Sequence, residues 1–249
     1  MRLILIFLVA NFYSFSQSNI QGQVQYIQIL SYDGTTSQRF DTQLDFTTQF
    51  SLYQNINQTK VPKQNSLDSS TILFDLDMKT KIRVWKNWQQ GQMVSLEYVL
   101  TKKFDVVDSI PHLSWKVGEN TRQIGPFNCL NAYTTFRGRT YEAWFCPDIP
   151  SQHGPWKLGG LPGLILEAKD STEEVQFLFK SISYPVQNPD LLVAPSIENK
   201  IDFESYKSFW RKKVKDFTNQ LNSSNRSVDS NFEVNAQVTK IKMIEDLFH

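Results

Sequence analysis

Cysteine and histidine are the scarcest chemistry-bearing residues of this chain, with two cysteines and three histidines in 249 residues. His112, His153 and His249 are too scattered for a His-x-x-x-His pair, and two cysteines fall short of a structural zinc site, so no metal or other cofactor is expected. Neither charge is in excess. Lys and Arg number 26 against 25 Asp and Glu, a formal +1, which argues against a protein that coats nucleic acid. No apolar stretch reaches the roughly 18 residues of a membrane helix. Glycine and proline, ten each, are too few for a collagen-like chain, and no internal repeat or low-complexity tract is present. Aromatic side chains, by contrast, are plentiful. They make up 13% of the sequence within a hydrophobic content of 40%, enough for an ordered core in one large domain or two small ones.

The beginning of the chain carries a targeting pattern. Met1 and Arg2 precede an unbroken apolar run over residues 3–10, too short to anchor in a bilayer, and the small residues Ser14 and Ser16 precede Gln17. This predicts a signal peptide over residues 1–17 and a single β-rich domain over 18–249, exported to the periplasm or secreted, with no transmembrane anchor after signal removal. No cysteine lies near the run, so an acylated lipoprotein terminus is excluded.

Period-two patterning dominates the chain beyond this leader. Phe40, Thr42, Leu44, Phe46, Thr48, Phe50 and Leu52 alternate with polar residues, which predicts one long strand with a wet face. Weaker alternation covers residues 24–32, then Ile72, Phe74, Leu76 and Met78, then Val94, Leu96, Tyr98 and Leu100, with shorter pieces at 139–145, 164–168 and 175–179. The polar stretch 54–70 reads as a surface loop. Strands with one polar face fit an antiparallel sheet better than a parallel α/β nucleotide-binding fold. One segment has helical spacing instead: Phe203, Tyr206, Trp210, Val214, Phe217 and Leu221 follow Asp202, a predicted N-cap. Its opposite face carries Arg211, Lys212, Lys213 and Lys215, read first as a solvated face and second as an attractor of anionic lipid. The tail 232–248 fits a strand or a second helix. The expected fold is mainly β (α+β): an antiparallel, curled sheet or half-barrel with at least one C-terminal amphipathic helix.

The cysteines point to a hairpin. If 127–136 and 139–146 pair around an Arg137-Gly138 turn, Cys129 faces Cys146 at a non-hydrogen-bonded site, where side chains approach most closely, so a Cys129–Cys146 disulfide is expected. A redox or nucleophilic cysteine is the alternative, disfavoured because no Cys-x-x-Cys is present. The same register puts Leu130, Ala132, Ala143 and Phe145 on a core face. Tyr133, Glu142 and Trp144 fall on the other, either as half-covered sheet surface or as a binding platform.

Beyond the hairpin the sequence becomes rich in glycine and proline, reading Gly154-Pro155-Trp156-Lys157-Leu158-Gly159-Gly160-Leu161-Pro162-Gly163-Leu164-Ile165. Pro162-Gly163 suits the centre of a type II turn. No Gly-Lys-Ser/Thr and no Gly-x-Gly-x-x-Gly is present, so this is not a phosphate cradle. The hexapeptide Gly160, Leu161, Pro162, Gly163, Leu164, Ile165 resembles the motif of the exported bacterial GLPGLI proteins. Trp115, Ile124-Gly125, Cys129, Gly138-Arg139, Ala143-Trp144-Phe145, Ile149-Pro150 and Gly154-Pro155 extend the resemblance across residues 115–170. It implies a signal-bearing, β-rich Gram-negative protein without an established biochemical role, and it transfers no catalytic residue. The chain departs from that pattern at Leu130-Asn131 and at Cys146.

The functional expectation is a non-enzymatic envelope protein that binds or carries an apolar or peptide ligand, or docks to an outer-membrane protein partner, with no role in nucleic-acid binding. Its groove is expected at Tyr133, Trp144, Trp156 and Leu161. The alternative is an exported hydrolase using His153 with the nearby carboxylates Asp148, Glu142 and Glu167.

Overall fold

The computed structural model describes residues 21–32, 36–57, 81–99, 102–186, 190 and 192–225. Among these residues are twelve strands and one helix: β1 (Gly22–Tyr32), β2 (Thr36–Phe46), β3 (Phe50–Asn57), β4 (Arg83–Asn87), β5 (Gln92–Val99), β6 (Lys102–Ser109), β7 (Lys116–Ile124), β8 (Phe127–Phe136), β9 (Arg139–Cys146), β10 (Leu164–Asp170), β11 (Val175–Ser183), β12 (Lys200–Asp202) and α1 (Phe203–Asn225). They form one open sheet in the order β12-β6-β5-β4-β3-β2-β1-β11-β10-β9-β8-β7. Every pairing is antiparallel except β12 on β6, as expected for strands with one wet face.

The long alternation from Phe40 to Leu52 is two strands rather than one. Thr47 breaks it: its hydroxyl accepts the backbone N–H groups of Gln49 (3.1 Å) and Phe50 (2.9 Å), the local bonding by which threonine turns a chain. The buried parity then flips. Thr42, Leu44 and Phe46 are buried in β2, whereas Ser51 and Tyr53 are buried in β3. Four short or polar strands, β4, β6, β7 and β12, carried too little alternation to be predicted. The stretches 72–78 and 232–248 lie outside the described residues, as does most of the expected loop 54–70.

The sheet curls. Arg137, in the β8–β9 turn, reaches Asp108 at the end of β6 (3.0 Å), although β6 and β8 lie near opposite ends of the sheet order. Tyr26 of β1 donates its hydroxyl to the Ile165 carbonyl (2.7 Å), two strands away. One core cluster therefore draws on both halves: Val24, Tyr26, Leu44, Phe46, Tyr53, Val84 and Met93 meet Ala132, Tyr141, Phe145, Leu166 and Phe177. A second cluster, Trp85, Val94 and Leu192, covers the other face of β4 and β5. In a third, Tyr206 of α1 packs with Val99, Phe104 and Val106. The helix begins where predicted, with Asp202 Oδ1 accepting the Ser205 N–H (2.9 Å) as N-cap.

The hairpin register is as expected, from Phe136↔Arg139 to Leu130↔Phe145. Arg137 (φ 48°) and Gly138 (φ 76°) both take the left-handed conformation of a type I′ turn. Its strain is offset by the Asp108 ion pair and by the Phe203 ring, 3.9 Å from the guanidinium carbon. Ala132, Ala143 and Phe145 are in the core and Leu130 packs against it.

The disulfide is corrected: Cys129 and Cys146 are buried free thiols. The two thiols nonetheless lie close enough to hydrogen-bond one another, while each also meets local backbone. Cys129 Sγ lies 3.9 Å from the Phe127 carbonyl, and Cys146 Sγ faces the N–H groups of Asp148 and Ile149. Burial, chiefly, with a smaller contribution from the neighbouring Cys146, pushes the Cys129 thiol up to about 12, which makes it inert as a nucleophile at neutral pH.

The Pro162-Gly163 turn is corrected too. Gly163 does not adopt a positive φ; Gly160 does, at 86°. Gly163 is needed for space, because a Cβ there would lie 2.7 Å from the Cys146 carbonyl carbon.

Candidate functional site

The connection between β9 and β10, residues 147–163, is the most unusual part of the molecule, because most of it is buried. Ile149, the whole run 153–159, Leu161 and Gly163 are all inside. A loop that goes inside must have its polar groups satisfied there. His153 and Gly159 bridge as a miniature antiparallel pair, Gly160 N–H donates to the Gln152 carbonyl (2.8 Å), and Ile165 N–H donates to the His153 carbonyl (3.1 Å). The Trp115 indole N–H donates to the Gly159 carbonyl (2.9 Å). At the tip, Trp156 lies against Phe177 (centroids 6.3 Å, stacked) and Phe136 (5.8 Å, edge-on). The segment plugs the half-barrel with its own side chains.

This placement corrects two of the four groove candidates. Trp156 and Leu161 are 5% and 1% exposed, so they are core rather than lining. Gly154 and Gly159 let the loop approach Ile165 and Trp88 closely enough to be buried. A cavity of about 380 Å³ does open elsewhere, beside the ends of β3 and β4, lined by Gln54, Asn55, Lys81 and Arg83 with Ile56, Ile82 and Leu96.

His153, the centre of the hydrolase alternative, is 1% exposed and held at both nitrogens. The Trp88 indole can only donate, so Nδ1 (2.9 Å) is the acceptor, and Nε2 carries the proton and donates it to the Thr47 carbonyl (2.8 Å). Burial, opposed by the Thr47 bond and aided by the nearby Lys86 charge, lowers its pKa to about 3. A general base needs a free lone pair and a pKa near working pH, and this imidazole has neither. The proposed carboxylate partners are elsewhere: Asp148 is exposed, Glu142 accepts the Tyr133 hydroxyl (2.9 Å), and Glu167 pairs with Arg122. His153 is a structural histidine that ties the plug to the β2–β3 turn.

Two lysines do similar work. Lys86 of β4 is fully buried, and its ammonium donates to the carbonyls of Leu158 (2.5 Å) and Gly154 (3.3 Å). Lys157, also buried, pairs with Glu97 of β5 (2.8 Å). Burial lowers Lys86 to about 7 and Lys157 to about 8, the latter despite its Glu97 partner. Because the unfolded lysine keeps its proton to a higher pH, the unfolded chain binds more protons above pH 7, and stability rises with pH there. Wild-type protein is therefore expected to gain about 2 kcal/mol between pH 7 and pH 9 from Lys86, a gain that Lys86→Met loses; urea unfolding at the two pH values measures it. Sequence reasoning passed over Lys86, whose only signal is its place two residues after Val84, on the parity that faces the core.

The other two candidates, Tyr133 and Trp144, lie on the opposite face of the sheet from the plug, as their register predicts. Arg122 of β7 places its guanidinium 4.3 Å from the Trp144 ring centroid and pairs with Glu167 of β10. Tyr133 bridges the Glu142 carboxylate and the Asn131 amide, each at 2.9 Å. Asn131 also accepts the Asn120 N–H (3.2 Å) under Gly118, where a Cβ would come within 2.9 Å of its amide carbon; this fits the register break between Val117 and Thr121. An aromatic ring, a guanidinium, two carboxylates and a phenol thus share one strip across β7, β8, β9 and β10. Trp144 is half-buried, whereas Tyr133 is exposed at 38%. Arg122 was missed because β7, Lys-Val-Gly-Glu-Asn-Thr-Arg-Gln-Ile, has no periodicity to set its face. Among the described residues no group of three or more His, Cys, Asp or Glu is placed to hold a metal ion, and no helix is long and apolar enough to cross a membrane.

Comparison with known proteins gives little beyond the fold. Residues 136–167, the second half of the hairpin, the plug and the start of β10, match a family described as "Protein of unknown function (Porph_ging)". No curated protein matches. Among solved structures, "Structure of PNGF-II in P21 space group" is similar with a TM-score of 0.50 at 16% identity, over 79% of this chain and 34% of that one. "Structure of PNGF-II in C2 space group" aligns with a TM-score of 0.49, 16% identity, 78% and 33% coverage. The chain thus spans about a third of the length of these structures, and the likeness to the first is one of fold.

Proposed function

We propose that the protein is a non-enzymatic binding module of the cell envelope, and that it engages a peptide or protein partner through the outer strip around Trp144. The observation that carries this reading is the Arg122–Trp144–Glu167 arrangement beside Tyr133 and Glu142: a half-buried aromatic ring framed by hydrogen-bonding groups of both signs. Such anchors are the kind that dominate protein interfaces. An apolar small-molecule ligand is disfavoured, since the inner face that would hold it is filled by residues 153–161. The hydrolase reading is disfavoured by the locked imidazole of His153. Export follows from the signal-like residues 1–17, and an outer-membrane protein is the partner that such a location would favour.

Selection of a random-peptide library on the wild-type chain tests the site. Enriched peptides are expected to bind Trp144→Ala at least about tenfold more weakly, with a smaller loss for Arg122→Ala. Equal affinity for the Trp144 variant would remove the strip as the site. Turnover of a peptide, ester or glycoside panel that disappears in His153→Ala would contradict the non-enzymatic reading.

A further inference from the structure

The charge of this chain is unevenly placed. Helix α1 carries Lys207, Arg211, Lys212, Lys213 and Lys215 against Glu204 and Asp216, a net of +3, whereas the whole chain is +1, so everything outside the helix sums to −2. Four of those cations, Arg211, Lys212, Lys213 and Lys215, fall within five residues and all are exposed. The described side chains that join α1 to the sheet, Phe203, Tyr206, Phe209 and Trp210, lie in its first two turns, on β5, β6 and β12. The basic cluster begins immediately after them, where the helix runs on past the last of these contacts. In sequence the apolar spacing continues beyond it through Val214, Phe217 and Leu221.

We infer that α1 is a docking surface for an anionic lipid bilayer. Clustered Lys and Arg on an amphipathic helix are attracted to acidic headgroups, and their long apolar stems let them reach the interface while the aromatic flank of the helix meets it. Phe209 and Trp210 are half-buried at the border of the basic cluster, and Lys213 holds its ammonium 5.8 Å from the Phe209 ring. The part of these two rings that their packing on the sheet leaves exposed favours a membrane over a soluble polyanion, which would use the charge alone. The negative remainder of the chain would orient the molecule helix-first. The curl brings the start of α1 to the β8–β9 turn, where Phe203 meets Arg137, but Arg211, Lys212, Lys213 and Lys215 share no residue with the Trp144 strip, so the two surfaces can be tested by separate substitutions.

Co-sedimentation of the full chain with phosphatidylcholine vesicles, with and without phosphatidylglycerol, tests the inference. Binding is expected only to the anionic vesicles, weakening as salt is raised. Lys212→Glu, Lys213→Glu and Lys215→Glu combined are expected to reduce the partition coefficient at least about a hundredfold, from roughly fivefold for each lysine. The Gln versions of the same three positions, which remove the attraction without adding repulsion, are expected to lose about a hundredfold, less than the Glu versions, with an unchanged thermal midpoint, which separates lost attraction from lost folding. The inference is overturned if anionic vesicles fail to bind, if the triple Glu variant binds as well as wild type, or if the chain binds heparin or duplex DNA and not vesicles.

Discussion

Gly163→Ala is expected to destabilise the fold by about 3 kcal/mol, near the upper end for an overpacked position. The added Cβ would lie 2.7 Å from the Cys146 carbonyl carbon, closer still to its oxygen, and 2.9 Å from Cδ2 of Phe145. Cys146 is the last residue of β9 and pairs with Leu164, so its backbone cannot retreat without opening the β9–β10 ladder. Gly160, three residues earlier, is the control. A Cβ there has nothing within 4 Å, but φ is +86°. Gly160→Ala should therefore cost only the backbone strain, about 1 kcal/mol. Urea unfolding of both variants measures the contrast. A larger loss for Gly160 than for Gly163 would mean that the motif is conformational rather than steric.

Acid should strip out the stability that neutral His153 supplies. Its folded pKa is depressed to about 3, below the usual 6.5, so on acidification the unfolded chain takes up the proton first. Stability is present above the unfolded value and is lost as pH falls from about 6.5 toward 3. Protonation of Nδ1 would set a second donor against the Trp88 indole N–H at 2.9 Å while placing a charge in the core. Between pH 7 and pH 4 the loss is expected to be about 3 kcal/mol in excess of that from carboxylates. His153→Gln loses this excess slope, although it is less stable at neutral pH through lost packing. Parallel slopes for the two chains in urea unfolding across this range would show that His153 titrates normally and is not sealed in.

What could be read from the sequence was local. Residues 127–146 declare their turn, register and core face through Arg137-Gly138 and the small Ala132 and Ala143, and α1 declares its start at Asp202. Strand parity around Thr47 was hidden, because a threonine that continues an alternation looks the same as one that ends it. The site was only partly legible. Tyr133 and Trp144 are placed by hairpin register, but their partners Arg122 and Glu167 arrive from β7 and β10, and such pairings are set by the curl of the whole sheet. The plug was the least visible feature. Polar and glycine-rich residues ordinarily mark a surface loop; here Lys86, Trp88 and Trp115, far away in sequence, satisfy the buried groups of residues 153–159 and reverse that expectation. The cysteines were legible as neighbours: the facing positions bring the two thiols within hydrogen-bond reach of one another, but as free thiols rather than a disulfide.

Amide hydrogen exchange across residues 147–166 is the most direct test of a self-filled half-barrel. The N–H groups of Leu158, Gly160, Leu164 and Ile165, all bonded within the plug or to its neighbours, are expected to exchange as slowly as those of β9. Exchange of these amides at the rate of unprotected peptide would show an open interior, and with it a groove that this account says does not exist.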